Sequence, residues 1–219
     1  MNTVLLRLLC WVIGYAFGCI QWAYLIGKAK GIDIRTQGSG NSGTTNAMRV
    51  MGKKTGYIVF LLDFSKSILC LLLIGLLFGS SNPDTIYLLK MWAFAGIVLG
   101  HDFPFYMQFR GGKGVAVIAG FVFGFHISLL PIAVCAFFLP FFVTHYVSLG
   151  SLCVYTIVCL AVIIEGALGL YGLSSTAMLI EISVIMVLLT ALAWYQHRKN
   201  IGRLKNGTES KMYLTNRKP

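Results

Sequence analysis

Apolar residues run along this chain in long blocks, and seven blocks stand out: residues 3–26, 55–79, 86–100, 114–129, 131–144, 148–165 and 177–195. A helix needs about 20 mostly apolar residues to cross the hydrocarbon core, with about 17 to 25 tolerated. The pattern therefore predicts an all-α membrane protein with seven transmembrane helices. Blocks four and five are short and meet near Pro131, so five crossings plus two short or re-entrant helices is the alternative. No tandem repeat or long linker divides the chain, which reads as a single polytopic domain over residues 1–219.

Composition agrees with the pattern. The chain is 57% hydrophobic and 11% charged, with a mean hydropathy of +0.78, too apolar for one soluble domain. The net charge of +11 has no basic, aromatic-interleaved soluble module to serve, so nucleic acid is not an expected partner. Loop charges explain it better. Residues 27–54 hold six Lys and Arg, residues 101–113 two and the tail from Gln196 seven, fifteen of the eighteen in the chain. Counted as alternate loops they share one face, which the positive-inside rule makes cytoplasmic, with the N-terminus outside and the C-terminus inside. The first block has no small-residue cleavage site and reads as an uncleaved helix.

Three polar segments on that face carry the candidate chemistry. The first is Gly38, Ser39, Gly40, Asn41, Ser42, Gly43, Thr44, Thr45 and Asn46, followed by Arg49. Glycines alternating with small polar residues can turn backbone N–H groups toward one anion. A helix starting near Thr44 would add its dipole, and Arg49 a bidentate cation. A flexible Gly/Ser loop is the plain alternative, but it would need none of Asn41, Asn46 and Arg49. The second segment, from Gly100 and His101 to Phe109, Arg110, Gly111, Gly112, Lys113 and Gly114, brackets an ammonium with glycines. It is not a nucleotide P-loop, because Met107 stands where the first Gly of GxxxxGK[ST] belongs. The aromatics Phe103, Phe105, Tyr106 and Phe109 read as an interfacial belt, with acyl-chain walls as the second reading. In the third segment His197 and Asn200 share a helix face, Arg203 follows, and Glu209 is the tail's one acid, expected to form a salt bridge that fixes the segment. A lipid-attracted basic tail explains Arg198, Lys199, Lys205, Arg217 and Lys218 without further function.

Elsewhere, Asp63 and Lys66 form an expected buried ion pair in the second helix. His126 and His145 have no acidic or thiol neighbour in sequence and read as non-catalytic. The six cysteines lie in apolar stretches without metal or disulfide spacing and read as inert, buried thiols; no metal and no cofactor is expected. No His is followed five residues later by Asp, so the dyad of thioester-dependent glycerolipid acyltransferases is absent, as is the DxxDG pattern of CDP-alcohol transferases.

Taken together the three segments resemble the acyl-phosphate:glycerol-3-phosphate acyltransferase family of bacterial inner membranes over nearly the whole chain. Its first motif is matched by Asp33, Ile34, Arg35, Gly38 to Asn46 and Arg49, and its second by Gly100, His101, Phe103, Pro104 and Phe109 to Val115. Its third is matched by His197, Asn200, Ile201, Arg203, Leu204, Gly207 and Glu209. Departures are small: Val117 stands where Thr is expected, Ser67 where Gly is, and His145 precedes Tyr146 to Ser148 where Arg is usual. The resemblance implies transfer of a fatty acyl group from acyl phosphate to the 1-hydroxyl of sn-glycerol 3-phosphate, giving lysophosphatidic acid and phosphate. It implies that Ser39, Arg49, Lys113, His197 and Asn200 hold or activate the substrates and that Glu209 supports the structure. Gly38, Gly40, Asn41, Gly43, Thr45, Asn46, His101, Gly111, Gly112, Gly114 and Arg203 are the expected substrate contacts. Both substrates, membrane lipid and the enzyme supplying acyl phosphate are the implied partners. A transporter for phosphorylated solutes is the competing class, but it would place polarity near the midplane.

Overall fold

The computed structural model describes residues 3–213, so Arg217 and Lys218 of the basic tail lie outside the described residues. Ten α-helices fill the described chain: α1 (Thr3–Cys19), α2 (Trp22–Ala29), α3 (Thr44–Met51), α4 (Lys53–Phe78), α5 (Ile86–Asp102), α6 (Val115–Phe125), α7 (Leu129–Thr144), α8 (Val147–Ala167), α9 (Thr176–Gln196) and α10 (Arg198–Lys205). Five helical stretches are long and apolar enough to span a bilayer: Thr3–Ala29, Lys53–Phe78, Pro83–Met107, Val147–Ala167 and Thr176–Gln196. The two shorter apolar helices are α6 and α7. This is the arrangement of five long spans plus a short pair.

The short pair still runs from one end of the bundle to the other. α6 begins at Gly114, whose carbonyl accepts from Tyr155 Oη at 3.0 Å, and ends where Phe125 packs on Tyr87 and Tyr171. α7 returns to His145, whose carbonyl accepts from the Met212 N–H of the tail. At about 1.5 Å per residue, the 11 residues of α6 cover only about 16 Å. The loop leading into α6 is therefore recessed between longer neighbours.

The first block, expected as one helix over 3–26, is broken at Ile20 and Gln21. Backbone freed inside a membrane must find partners, and here it does. Lys66 Nζ donates to Ile20 O at 2.7 Å and Gly18 O at 3.1 Å. The fully buried Gln21 donates to Gly18 O and to the carbonyl of His101 on α5. Below the break α1 and α5 touch backbone to backbone. A Cβ on Gly14 would stand 2.0 Å from Ala93 O, and one on Gly96 would stand 2.1 Å from Trp11 O. Small residues four apart permit this approach, which gains dispersion contacts where lipid offers no hydrophobic drive.

Aromatic stacking fills the centre, with Phe94 and Phe121 centroids 4.0 Å apart and Phe121 and Phe125 4.6 Å apart. Leu61, Leu72, Leu76, Val143 and Leu188 are exposed on the outside, as lipid-facing positions should be. One expectation for the cysteines is corrected. Cys135 is exposed on α7 and Cys153 half-buried, because both fall on the outward stripe of their helices. At the end opposite the polar segments, Arg7 pairs with Glu181 at 2.7 Å and Trp92 donates to the same carboxylate.

Candidate active site

The three polar segments meet at one end of the bundle. Gly111 N donates to Asp102 O and Gly112 N to His101 O, both at 2.9 Å, folding the glycine turn back onto the end of α5. Gly114 adopts φ +72°, a left-handed conformation, and a Cβ there would meet Tyr155 Oη at 2.2 Å. The first segment docks on this turn: Asn41 Nδ2 donates to Gly111 O at 3.2 Å, and Ser42 Oγ donates to Gln21 Oε1 at 3.1 Å.

Within the first segment the open nest of N–H groups is partly filled by its own side chains. Ser39 N donates to Asn46 Oδ1 at 2.8 Å and Gly43 N to Asn41 Oδ1 at 3.0 Å. The buried Asn46 also donates to the carbonyls of Ile34 and Gln37. Asn41 and Asn46 are thus engaged in shaping the loop, while Ser39 is exposed at its tip. Gly38 and Gly40 have φ of +62° and +70°, so glycine is required there for the turn itself.

The third segment supplies a tight polar network. α9 ends at Gln196, His197 forms the joint, and α10 carries Asn200 and Arg203. Lys113 Nζ donates to Asn200 Oδ1. Asn200 Nδ2 donates to Glu209 Oε1 at 2.7 Å, Arg203 Nε to Glu209 Oε2 at 2.6 Å, and Ser148 Oγ to Glu209 Oε1 at 2.9 Å. Burial pushes the Glu209 carboxyl up, but the hydrogen bonds from Asn200, Arg203 and Ser148 outweigh it and hold it below the usual glutamate range. Burial and the nearby Arg203 lower the Lys113 ammonium to about 8, against the opposing pull of Glu209 and Asp102. Burial lowers His197 to about 4. Its Nδ1–H donates to Ala193 O at 2.7 Å, leaving Nε2 as an acceptor.

Arg49 does not join this network. It is exposed on α3 and lines a cavity of about 300 Å³ with Thr45, Lys53, Tyr57, Lys211 and Tyr213. The tail closes that cavity because it is stitched to the turn before α8. Met212 N donates to His145 O at 2.8 Å, and the His145 and Tyr213 rings lie 4.6 Å apart.

Comparison with known proteins decides the class of this site. The family model described as glycerol-3-phosphate acyltransferase matches residues 8–207. The chain belongs to the glycerol-3-phosphate acyltransferase family. It is 37% identical over 205 residues to a glycerol-3-phosphate acyltransferase 2 of Bacillus cereus, covering 93% of each chain. It is 37% identical over 202 residues to a glycerol-3-phosphate acyltransferase of Clostridioides difficile (strain 630), covering 92% of this chain and 93% of that one. Among solved structures, the glycerol 3-phosphate form of PlsY (YgiH), an integral membrane glycerol 3-phosphate acyltransferase, superposes with a TM-score of 0.80. Identity is 33%, with 94% of this chain and 96% of that chain covered. The lysophosphatidic acid form of the same protein gives a TM-score of 0.77 at 32% identity, covering 94% and 95%. The chain is accordingly an integral, multi-pass membrane member of this acyltransferase family.

Several residues that build this candidate site carry no local signal in the sequence. Gln21 and Tyr155 look like ordinary members of apolar blocks, and Ser148 becomes a Glu209 ligand only through folding. Asp102 is buried, accepts a 3.5 Å hydrogen bond from Gln196 and keeps an unpartnered Oδ1. An acid only two residues past the end of the third apolar block is the one clue to it. His126 sits at the opposite end, where its Nδ1 is 2.6 Å from Ser128 Oγ, itself bonded to Glu165. Glu165 comes from 37 residues beyond Ser128, so the histidine's acidic neighbour is not visible in sequence.

Proposed function

We propose that this protein transfers a fatty acyl group from acyl phosphate to the 1-hydroxyl of sn-glycerol 3-phosphate at the cytoplasmic face of a bacterial inner membrane. The observation that carries the reading is the Lys113–Asn200–Glu209–Arg203 network against the Gly111–Gly114 turn. The turn and Lys113 suit the phosphate of glycerol 3-phosphate. Arg49, exposed beside Lys211 and Lys53, adds positive charge for the second phosphate. The exposed rings of Phe105 and Phe109 border the recessed turn, where an acyl tail can enter from lipid.

In the reaction the glycerol hydroxyl oxygen bonds to the acyl carbon, the carbon–oxygen bond to phosphate breaks, and the hydroxyl proton leaves with inorganic phosphate. A mixed anhydride already has a good leaving group, so neutralising charge and aligning the two substrates supply most of the acceleration. His197 is neutral and weakly basic, with Nε2 free to accept the hydroxyl proton in a hydrogen bond and orient the nucleophile. A phosphate oxygen of the substrates is the stronger base. Purified protein incubated with palmitoyl phosphate and labelled glycerol 3-phosphate should yield labelled lysophosphatidic acid. Product formed from palmitoyl-CoA alone would refute the donor, and failure of any donor would refute the activity.

A further inference from the structure

Directly beneath the glycine turn lies a buried ionic cluster that the reaction as described does not use. Lys66, 3% exposed, places its ammonium 2.7 Å from Ile20 O, 3.1 Å from Gly18 O and 3.1 Å from His101 Nδ1. Asp63 Oδ1 balances the charge at 2.8 Å, off the hydrogen-bond axis. Three protons therefore meet three directional acceptors, and one of those acceptors is an imidazole nitrogen. An ammonium can only donate, so Nδ1 is the lone-pair nitrogen and the ring proton sits on Nε2. The Gln21 amide, 3.5 Å from the same Nδ1, faces it with a second donor.

The other edge of the ring lies against Gly112 of the turn. A Cβ built on Gly112 would stand 2.1 Å from His101 Nε2 and 2.8 Å from the two flanking ring carbons, so it would overlap the Nε2 end of the ring from one face. Gly112 is not among the residues with positive φ, so its backbone does not itself demand glycine. What glycine provides here is room for the Nε2 end of the ring to lie directly against the turn. Among the described residues no protein acceptor meets that nitrogen.

We infer that His101 donates its Nε2–H to an oxygen of the phosphate held at the Gly111–Gly114 turn, and that the Asp63–Lys66 pair is a positioning device that fixes this tautomer. A neutral donor adds a directional bond to a phosphate without adding another cation beside Lys113. The inference rests on the reading of that turn as the glycerol 3-phosphate cradle.

The test uses the full chain in detergent with ¹³C,¹⁵N-labelled histidine, whose four rings are assigned through His126, His145 and His197 variants. The expected result is a single Nε2–H tautomer for His101, with its nitrogen signal moving when glycerol 3-phosphate is added. In the paired Asp63→Leu, Lys66→Met variant the tautomers should mix. Kinetically, His101→Gln keeps an amide donor near the Nε2 position and should hold KM for glycerol 3-phosphate within about threefold, whereas His101→Asn moves it to the Nδ1 position and should raise that KM about 10- to 100-fold, the range of one hydrogen bond to a charged group. KM for palmitoyl phosphate should be unchanged in both. An Nδ1–H tautomer, or equal KM values for the Gln and Asn variants, would overturn the inference while leaving the turn's role intact. Wild-type protein that turns over without saturating in glycerol 3-phosphate would instead sink the cradle reading beneath it.

Discussion

Replacing Glu209 with Gln tests how the third segment is held. The carboxylate accepts from Asn200 and Ser148 on one oxygen and from Arg203 on the other. The side chain of Glu209 is 8% exposed and that of Arg203 42%. If the amide oxygen of Gln keeps the first two donors, each bond loses its charge assistance, about 1 kcal/mol apiece. The amide nitrogen then faces Arg203, and that half-exposed pair forfeits about another 1 kcal/mol or less. The total is about 2–3 kcal/mol, or about 4–12 °C in Tm for a chain of this size. The pH dependence gives an independent signature. Glu209 is held below its ordinary value of 4.5, so its stabilisation is present above that value and is lost as pH falls through the folded pKa. The Tm gap between wild type and variant should therefore narrow on going from about pH 6 toward pH 3. Lys113 loses a carboxylate that sustains its charge, so the alkaline limb of kcat/KM should move to lower pH. The assays are thermal unfolding in detergent and pH-dependent initial rates with palmitoyl phosphate. An unchanged Tm together with an unmoved limb would refute the assigned role.

Lys113→Ala should lower kcat/KM by about 100- to 1000-fold, the cost of one preorganised donor to developing charge, with Tm little changed; retention of full turnover by this variant and by Arg49→Ala would defeat the phosphate-gathering reading. In the wild type, kcat/KM should decline above about pH 8 as Lys113 loses its proton, with no histidine limb between about pH 5 and 7 because burial keeps His197 near 4. A limb near pH 6.5 that disappears in His197→Asn, and so belongs to the histidine and not to the substrate phosphates, would contradict the structure. Gly114→Ala combines a φ of +72° with a Cβ 2.2 Å from Tyr155 Oη and should cost more than about 2 kcal/mol, from about 1–2 for the left-handed backbone plus the clash. Thermal unfolding that matches wild type would show that the turn relaxes freely. Tyr155→Phe removes the 3.0 Å hydroxyl donor to the Gly114 carbonyl, which keeps the Ile118 N–H at 2.9 Å, and should lower Tm by the equivalent of about 0.5–1.5 kcal/mol. An unaltered Tm would mean that another donor replaces the hydroxyl.

The hydrophobic blocks determined the all-helical membrane class, and the Lys and Arg count placed the three polar segments together, because both are sums over many residues that no single contact can reverse. Helix continuity was not legible in the same way. The stretch 3–26 is apolar but for Thr3, Arg7 and Gln21, yet it breaks at Gln21, since Lys66 and Gln21 reach the freed carbonyls from positions the sequence does not bring together. The types of residue needed for phosphate chemistry, glycine turn, ammonium, imidazole and amide, were likewise readable from the chain. Their individual duties were decided by the fold. Asn41 and Asn46, expected as ligand contacts, also hold the loop and, through Asn41, the Gly111 carbonyl, duties that the sequence does not show. Lys113 finds Asn200 across 87 residues, and Glu209 finds Ser148 across 61. Local pattern determines what a segment can offer a ligand. Which of those groups remain open, and at what charge, depends on burial and on partners from distant helices, and only the packed structure sets both.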